Sequence, residues 1–169
     1  ASQLGLQVTS LSNLGDDSNG KIILDSFKRF GVDTSLIQVR ENQDSHFAVI
    51  MLDETGEKSL IFVPAFEEQY SLELAKSVMS DVQYLYAMPR AEKLYGLLAD
   101  IAHSHAAEVM IDIEPTVCAD RTHMKRLLKL TDIACFNYEG FLSATGKLLT
   151  KQSMSELLDL GPHTIVVTK

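Results

Sequence analysis

The hydrophobic positions of this chain change their spacing in a regular way, and that change predicts secondary structure. From residue 72 onward, stripes of apolar side chains three or four positions apart alternate with short runs rich in β-branched residues. The predicted helices cover 72–79, 91–105, 121–130, 138–144 and 153–158, and the predicted strands cover 82–88, 109–113, 133–136 and 164–168. Helices between successive strands predict an α/β fold with a doubly wound, mostly parallel sheet and helices on both faces.

A strand-to-helix junction is predicted within residues 14–37. Gly15 follows a β-prone run at 8–11 and allows the backbone to turn sharply. Asp16 and Asp17 carry short side chains whose oxygen atoms can accept hydrogen bonds from the first turn of a helix. The residues alone therefore predict one α/β unit with an aspartate cap.

The helix after this junction is amphipathic. Ile23, Phe27 and Phe30 recur at positions i, i+4 and i+7, which places them on one helical face. Gly31 can end the helix because glycine adopts the left-handed conformation at little steric cost. We therefore expect the chain to leave the helix at residue 31.

Short extended runs at 37–40, 46–52 and 58–63 precede the βα alternation. The last two flank residues 53–57, an acidic turn that contains a glycine and suits a hairpin. Parallel strands need long crossover connections, so closely spaced strands of this kind predict a small, separate antiparallel sheet. We place this insertion at about residues 35–66.

Composition limits the class of protein. The 169 residues are enough for one domain with a core, and a net charge of −8 disfavours nucleic acid or an anionic membrane as a partner. No apolar run reaches the length that crosses a bilayer. Cys118 and Cys135 show no paired spacing, so we expect free thiols in a reducing compartment and a cytoplasmic location.

Two acids stand at the end of the predicted strand 109–113. Asp112 and Glu114 are two positions apart, at the end of the strand where open α/β sheets bind ligands. Their oxygen atoms suit a hard cation or the hydroxyl groups of a ligand, and an ordinary pair of solvated loop acids fits the same spacing. Asn137 precedes a predicted helix, which is the position of an N-cap residue.

The histidines predict no metal site. His103 and His105 lie two positions apart on a helix and face different directions, with no cysteine cluster nearby. His46 lies in the predicted antiparallel sheet, where it either donates to a hydroxyl or phosphate group or is a partly exposed residue of an edge strand.

Several motifs, taken in order, resemble the ribokinase-like carbohydrate kinases, the pfkB family. Gly15-Asp16-Asp17 with Gly20, followed by residues 31–34 (GVDT), is similar to a segment that follows an early strand in that family. The resemblance implies a doubly wound kinase domain with a small β-sheet lid over the sugar, and the lid would be the insertion at about residues 35–66. It covers residues 1–169 as the central part of such a domain.

The resemblance also implies an incomplete domain. Residues 1–169 begin without methionine and end on a predicted strand, and the family's upstream "GG" and downstream "GAGD" motifs are not among them. The aspartate of "GAGD" is the family's catalytic residue. We therefore expect no catalytic residue in this stretch and no activity from residues 1–169 alone.

Binding residues are implied by the matched motifs. Residues 45–49 are similar to the family's lid strand, which implies substrate contacts from Ser45, His46 and Phe47. The other implied residues are Asp112, Glu114, Asn137 and Glu139 in the magnesium and phosphate region, and Thr168 at the nucleotide.

One position departs from the family pattern. Counting from Asn137, the family's acid falls on Gly140, and the nearest acid, Glu139, stands one residue earlier. Either Glu139 substitutes through a shifted turn, or magnesium handling is weakened. Glu114 also stands where the family has an amide or another neutral residue.

The function implied by the resemblance is that of an ATP-dependent carbohydrate kinase, which transfers the γ-phosphate of ATP to a sugar hydroxyl with Mg²⁺ as a cofactor. Its partners would be a small-molecule sugar and ATP, with no nucleic acid or membrane, and a homodimer would form through the lid. Gly140 motivates an alternative, a non-catalytic kinase-like domain that binds a sugar or nucleotide for regulation. A third hypothesis is an unrelated flavodoxin-like binding module, which a structure without the lid would support.

Overall fold

The computed structural model describes residues 1–67, 70–89, 92–115, 117–118 and 120–169. The chain divides into two units, residues 1–71 and residues 72–169. Within the described residues every strand pair is parallel except one hairpin. This arrangement confirms the expected α/β class with a mostly parallel sheet.

The first unit combines a capped helix with three small sheets. Its elements are a 3-10 turn at Ser2–Leu4, β1 (Val8–Thr9), β2 (Ser12–Gly15), α1 (Ser18–Arg29), β3 (Val32–Asp33), β4 (Ile37–Arg40), β5 (Phe47–Leu52) and β6 (Lys58–Val63). β1 pairs with β3 and β2 pairs with β4, both in parallel. The β-prone run predicted at 8–11 is only partly a strand, because β1 ends at Thr9, and neither β2 nor β3 was among the predicted strands.

Helix α1 begins and ends as its sequence predicts. Asp17 is the N-cap residue, and its Oδ1 accepts a 2.8 Å hydrogen bond from the Gly20 N–H. Gly31, just past the helix end, has φ of +71°, which is the left-handed conformation. The predicted apolar face is only partly correct, because Phe30 caps the helix and remains 42% exposed.

Strands β5 and β6 form the predicted antiparallel hairpin. Cross-strand partners share a face, so the register defines two surfaces. The Phe47 face carries Phe47, Val49, Met51, Ile61 and Val63 with one polar residue, Ser59, and the Phe62 face carries Ala48, Ile50, Leu52, Leu60 and Phe62 with Lys58. All of these residues except the half-buried Val63 are exposed, so both faces of the hairpin are mostly apolar and open to solvent.

The hairpin turn is held by a single aspartate. Asp53 Oδ1 accepts hydrogen bonds from the Thr55 N–H, the Thr55 hydroxyl and the Glu57 N–H, at 2.7 to 3.0 Å. These bonds, first of all that of the Thr55 hydroxyl, lower the pKa of Asp53. Gly56 completes the turn with φ of +87°. The local chemistry of residues 53–57 therefore stabilises the turn of the hairpin that the sequence predicted.

The second unit contains one four-stranded parallel sheet in the order β10-β9-β8-β7. Its elements are α2 (Leu72–Met79), β7 (Tyr84–Ala87), α3 (Glu92–Ser104), β8 (Glu108–Ile113), α4 (Arg121–Leu128), β9 (Ile133–Asn137), α5 (Tyr138–Thr145), α6 (Lys151–Leu158) and β10 (Thr164–Thr168). Every helix predicted in this part of the chain is present. Ala91, the predicted first residue of α3, lies outside the described residues.

The core of this unit lies between one face of the sheet and the helices. Val109, Ile111 and Ile113 of β8 are fully buried there, whereas Met110 and Asp112, which alternate with them, are half-buried on the other face. The same core contains Met79, Tyr95, Ala99, Met124, Leu127, Phe136, Phe141 and Leu157. Each of the five helices therefore contributes to one core.

Helical spacing predicts one apolar stripe on α3, and this prediction needed one correction; the predicted stripe is Leu94, Leu97, Leu98, Ile101 and Ala102. Leu98, Ile101 and Ala102 are buried as expected, but Leu97 is 41% exposed, and Tyr95 belongs to the core instead. The Tyr95 hydroxyl shares a 2.6 Å hydrogen bond with Thr131 Oγ1, so its polar atom is satisfied inside the core. Among the described helices, none is both long and apolar enough to cross a membrane.

Candidate functional site

The carboxyl ends of three neighbouring strands in the second unit carry the predicted polar residues. Asp112 lies near the end of β8 and Glu114 directly follows it, Asn137 ends β9, and Thr168 ends β10. Asn137 and Thr168 are register partners in the parallel sheet. The topology therefore brings to one edge the residues that the sequence expected at a magnesium, phosphate and nucleotide region.

Helix α5 begins at the same edge without an intervening loop. Asn137 is its N-cap residue, and the side-chain Oδ1 accepts a 2.6 Å hydrogen bond from the Gly140 N–H. This is the N-cap role that the spacing alone suggested. The first turn of a helix carries N–H groups without intrahelical partners and the positive end of the helix dipole, both of which favour a nearby anion.

The packing around Gly140 explains why position 140 has no acidic side chain, although the resemblance implies one there. Gly140 is buried, and a Cβ atom there would lie 2.3 Å from the Ile113 carbonyl oxygen and 3.1 Å from the Glu114 Cα. No side chain fits without a shift of the backbone. The first turn of α5 therefore packs directly on the end of β8, and the exposed Glu139 is the acid of that turn.

Tyr86 also lies at this edge, although no pattern in the sequence predicted it there. Its hydroxyl donates a 3.4 Å hydrogen bond to Asp112 Oδ2 on the neighbouring strand. Partial burial, then the negative charge of Asp112 and the hydrogen bond to it, raise the pKa of Tyr86, with smaller effects from Cys135 and Glu114. The βα alternation indicates that β7 and β8 are neighbours, but it does not give their register, on which this contact depends.

Cys135 and Thr168 also lie near this edge. Cys135 is the register partner of Asp112, and burial together with the Asp112 charge raises the pKa of its thiol. Thr168 is exposed, and its hydroxyl donates a 3.4 Å hydrogen bond to the Phe136 carbonyl oxygen. The thiol therefore remains protonated near neutral pH, and the exposed edge presents mainly oxygen atoms.

The donor set suits magnesium. Magnesium sites in phosphoryl-transfer enzymes use one or two carboxylates and complete their coordination with water and phosphate oxygens. Asp112 and Glu114 supply such carboxylates, and both act electrostatically on Tyr86. Within the described ranges, no three His, Cys, Asp or Glu side chains form a group that could hold a metal by themselves. The residues fit a cation that is bound together with phosphate.

In the first unit, Ser45 is part of the strand-to-helix junction. It is 1% exposed, its hydroxyl donates a 2.7 Å hydrogen bond to Asp17 Oδ1, and its Oγ accepts a 3.0 Å bond from the Gly15 N–H. A Cβ atom on Gly15 would lie 2.3 Å from the Gln43 carbonyl oxygen, so this position also requires glycine. Substrate contact by Ser45 stays a prediction, and its hydroxyl already has a structural role.

His46 and Phe47 point in different directions. His46 Nδ1 accepts a 2.9 Å hydrogen bond from the Ala65 N–H, and its ring lies 4.1 Å from that of Phe66 and 5.7 Å from that of Phe62. His46 therefore stands at the base of the Phe62 face, whereas Phe47 begins the opposite face. The three residues predicted to bind substrate do not form one continuous surface, and their role stays a prediction.

Comparison with known families gives one match over the whole chain. A family model described as "pfkB family carbohydrate kinase" matches residues 1–169. An uncharacterized sugar kinase from Archaeoglobus fulgidus is 31% identical over 67 residues, which are 40% of this chain and 26% of that protein.

Solved structures share the fold. A PfkB protein from a Polaromonas species has a TM-score of 0.83 and 20% identity, and the match covers 99% of this chain and 62% of that one. Arabidopsis thaliana ribokinase, solved with ribose and ATP, has a TM-score of 0.78 and 19% identity, and the match covers 98% of this chain and 56% of that one. The chain thus spans little more than half the length of these neighbours.

Proposed function

This chain belongs to the pfkB family of carbohydrate kinases, and we propose that the whole protein transfers the γ-phosphate of ATP to a hydroxyl group of a sugar. The observation that carries this proposal is the convergence of Asp112, Glu114 and Asn137 on one sheet edge at the first turn of α5. Phosphoryl transfer needs positioning and charge stabilisation more than covalent chemistry from the protein. Carboxylates beside an N–H-rich helix end supply both.

Each residue of the edge has a part in this proposal. Asp112 and Glu114 would hold Mg²⁺, which would supply positive charge beside the phosphates of ATP. The first-turn N–H groups of α5 other than that of Gly140, which Asn137 caps, would bind the phosphates, and Thr168 would lie near the nucleotide. Glu139 is exposed and contributes a weaker, more screened negative charge than Glu114 does.

The hairpin is proposed to act as the lid. A two-stranded hairpin with two apolar faces is marginally stable in water, so both faces need a covering. Since His46 stands at the base of the Phe62 face, we assign that face to the sugar. We assign the Phe47 face to the hairpin of a second copy of the chain, which reassigns Phe47 from substrate to dimer. A cytoplasmic location, where ATP is available, is part of the same proposal.

The alternative function is a kinase-like domain that binds a sugar or nucleotide without turnover. It is motivated by the absence of an acid at position 140. Packing against Ile113 explains why no side chain fits there, but it does not supply the missing negative charge. A binding-only protein would be stabilised by ligands and would release no ADP.

The experiment is a panel of sugars offered to the whole protein with ATP, in the presence of Mg²⁺ or of a chelator. Release of ADP that depends on both a sugar and Mg²⁺ supports the kinase. Thermal stabilisation by sugar or ATP without ADP release supports the binding domain, and neither effect with any sugar contradicts both. Inactivity of residues 1–169 alone stays a prediction, which sugar-dependent ATP turnover by those residues would overturn.

A further inference from the structure

Tyr86, Asp112 and Cys135 lie on the same face of the sheet, on the neighbouring strands β7, β8 and β9. Tyr86 is the register partner of Met110, and Asp112 follows Met110 by two positions, which returns its side chain to the same face. Cys135 is the register partner of Asp112. The Tyr86 hydroxyl donates a 3.4 Å hydrogen bond to Asp112 Oδ2. The contact therefore crosses the strands toward the carboxyl edge, where the proposed cation site lies.

We propose that Tyr86 is a positioning residue, which orients the Asp112 carboxylate for the cation that binds with ATP. This inference rests on the function proposed above. With Oδ2 held by the tyrosine, Oδ1 would be the oxygen available to the cation. Carboxylate ligands of metals are commonly held by such hydrogen bonds, and loss of the bond costs about 10- to 100-fold in metal affinity or activity.

Because Tyr86 is exposed, its role in orienting Asp112 can be tested separately from a role in folding. Its side chain is 57% exposed, so removal of the hydroxyl alone leaves the packing of the unit almost unchanged. Tyr84 offers a matched control because it is 59% exposed and points from the same face of the same strand. Tyr84 is the register partner of Glu108, at the opposite end of β8 from Asp112.

The test measures how ATP binding by the whole protein depends on the concentration of free Mg²⁺. Calorimetry gives binding without turnover, and initial rates give kcat and the KM for the sugar. For Tyr86→Phe we expect an apparent Mg²⁺ dissociation constant about 10-fold higher, with the sugar KM and the melting temperature unchanged. For Tyr84→Phe we expect the wild-type value.

A double-mutant cycle isolates the pair. If Tyr86 acts through Asp112, then Tyr86→Phe adds no further loss of Mg²⁺ affinity to a protein that already carries Asp112→Asn. Wild-type Mg²⁺ dependence in Tyr86→Phe, or fully additive losses in the double variant, would overturn the inference. A wild-type protein that neither binds nor turns over ATP with Mg²⁺ would instead contradict the proposed function, so the two failures are distinguishable.

Discussion

The Ser45 hydroxyl donates a 2.7 Å hydrogen bond to Asp17 Oδ1, and this contact joins the residue that precedes the hairpin strands to the cap of α1. Asp17 Oδ1 also accepts from the Gly20 N–H, and Ser45 Oγ accepts from the Gly15 N–H. The capping aspartate, the serine and two glycines therefore form one connected junction. Loss of these hydrogen bonds should therefore lower the stability of the whole first unit.

Ser45→Ala should lower the free energy of unfolding by about 1–3 kcal/mol, because the buried Gly15 N–H loses its acceptor. Chemical denaturation followed by circular dichroism measures this value. Ser18→Ala, at an exposed position in the first turn of the same helix, is the matched control and should change stability by less than about 0.5 kcal/mol. Equal losses of unfolding free energy in the two variants would contradict a specific stabilising role of the Ser45 hydroxyl.

The stability of this junction should depend on pH in a defined direction. The hydrogen bond from Ser45, followed by that of the Gly20 N–H, lowers the pKa of Asp17 below its ordinary value of 3.8. The folded state therefore binds fewer protons than the unfolded state, so the stabilising effect is fully present above that value and is lost as the pH falls through the lowered pKa.

The difference in unfolding free energy between wild type and Ser45→Ala should therefore be largest near neutral pH and shrink below pH 3.8. Denaturation of both proteins at a series of pH values measures the difference. A difference that stays constant down to acid pH would mean that the Asp17 charge takes no part in the contact.

Gly140→Ala should destabilise the second unit by about 1–3 kcal/mol or more, because the added Cβ meets the Ile113 carbonyl oxygen at 2.3 Å. Gly96→Ala in α3 is the control, since the nearest atom to its Cβ would be Leu130 Cδ1 at an ordinary 3.7 Å. That control should gain up to about 1 kcal/mol from higher helix propensity. Melting temperatures that move in the same direction for both variants would contradict the packing argument.

Two charged substitutions on adjacent hairpin residues should separate the two proposed surfaces. Val49→Lys charges the Phe47 face and should convert a dimer into a monomer, as measured by sedimentation equilibrium. Ile50→Lys charges the Phe62 face and should weaken sugar binding without changing the oligomeric state. Both side chains are exposed, so neither change should prevent folding. If Val49→Lys weakens sugar binding and Ile50→Lys dissociates the dimer, the two faces have the opposite roles. A wild-type protein that is monomeric would contradict the proposed dimer.

Glu114→Gln should weaken the Mg²⁺ dependence of ATP binding more than Glu139→Gln does. Glu114 is half-buried beside the start of α5, whereas Glu139 is exposed and its charge is screened by solvent and salt. We expect about a 10-fold loss of Mg²⁺ affinity for Glu114→Gln and little change for Glu139→Gln. A larger effect at Glu139 would favour the shifted-turn substitution that the sequence alone left open.

Elements whose signals are local could be predicted from the sequence. Strand β6 has the predicted bounds because Asp53, Gly56 and the extended runs on either side of the turn are close in sequence. The ends of α1 follow in the same way from Asp17 and Gly31. By contrast, the apolar stripe of α3 was misassigned at Leu97, because helical period alone does not say which side the sheet covers.

In the candidate site, too, some features could be predicted from the sequence and others required the tertiary structure. Asp112, Asn137 and Thr168 could be expected at one sheet edge because parallel βα order sends successive strands in the same direction. The Tyr86 contact could not be selected from the sequence, because a hydrogen bond across strands depends on their register. For the same reason, the separation of His46 from Phe47 onto two hairpin faces required the observed pairing.

The sequence by itself determined the family, the α/β class, the hairpin and the caps of the helices, since these depend on the order and spacing of neighbouring residues. The tertiary structure decided why residue 140 is glycine and why Ser45 is buried. Ile113 and Asp17, the residues that make those contacts, lie 27 and 28 positions away along the chain. Steric exclusion and buried hydrogen bonds between such distant residues exist only after the strands and helices have packed, so no local pattern carries them.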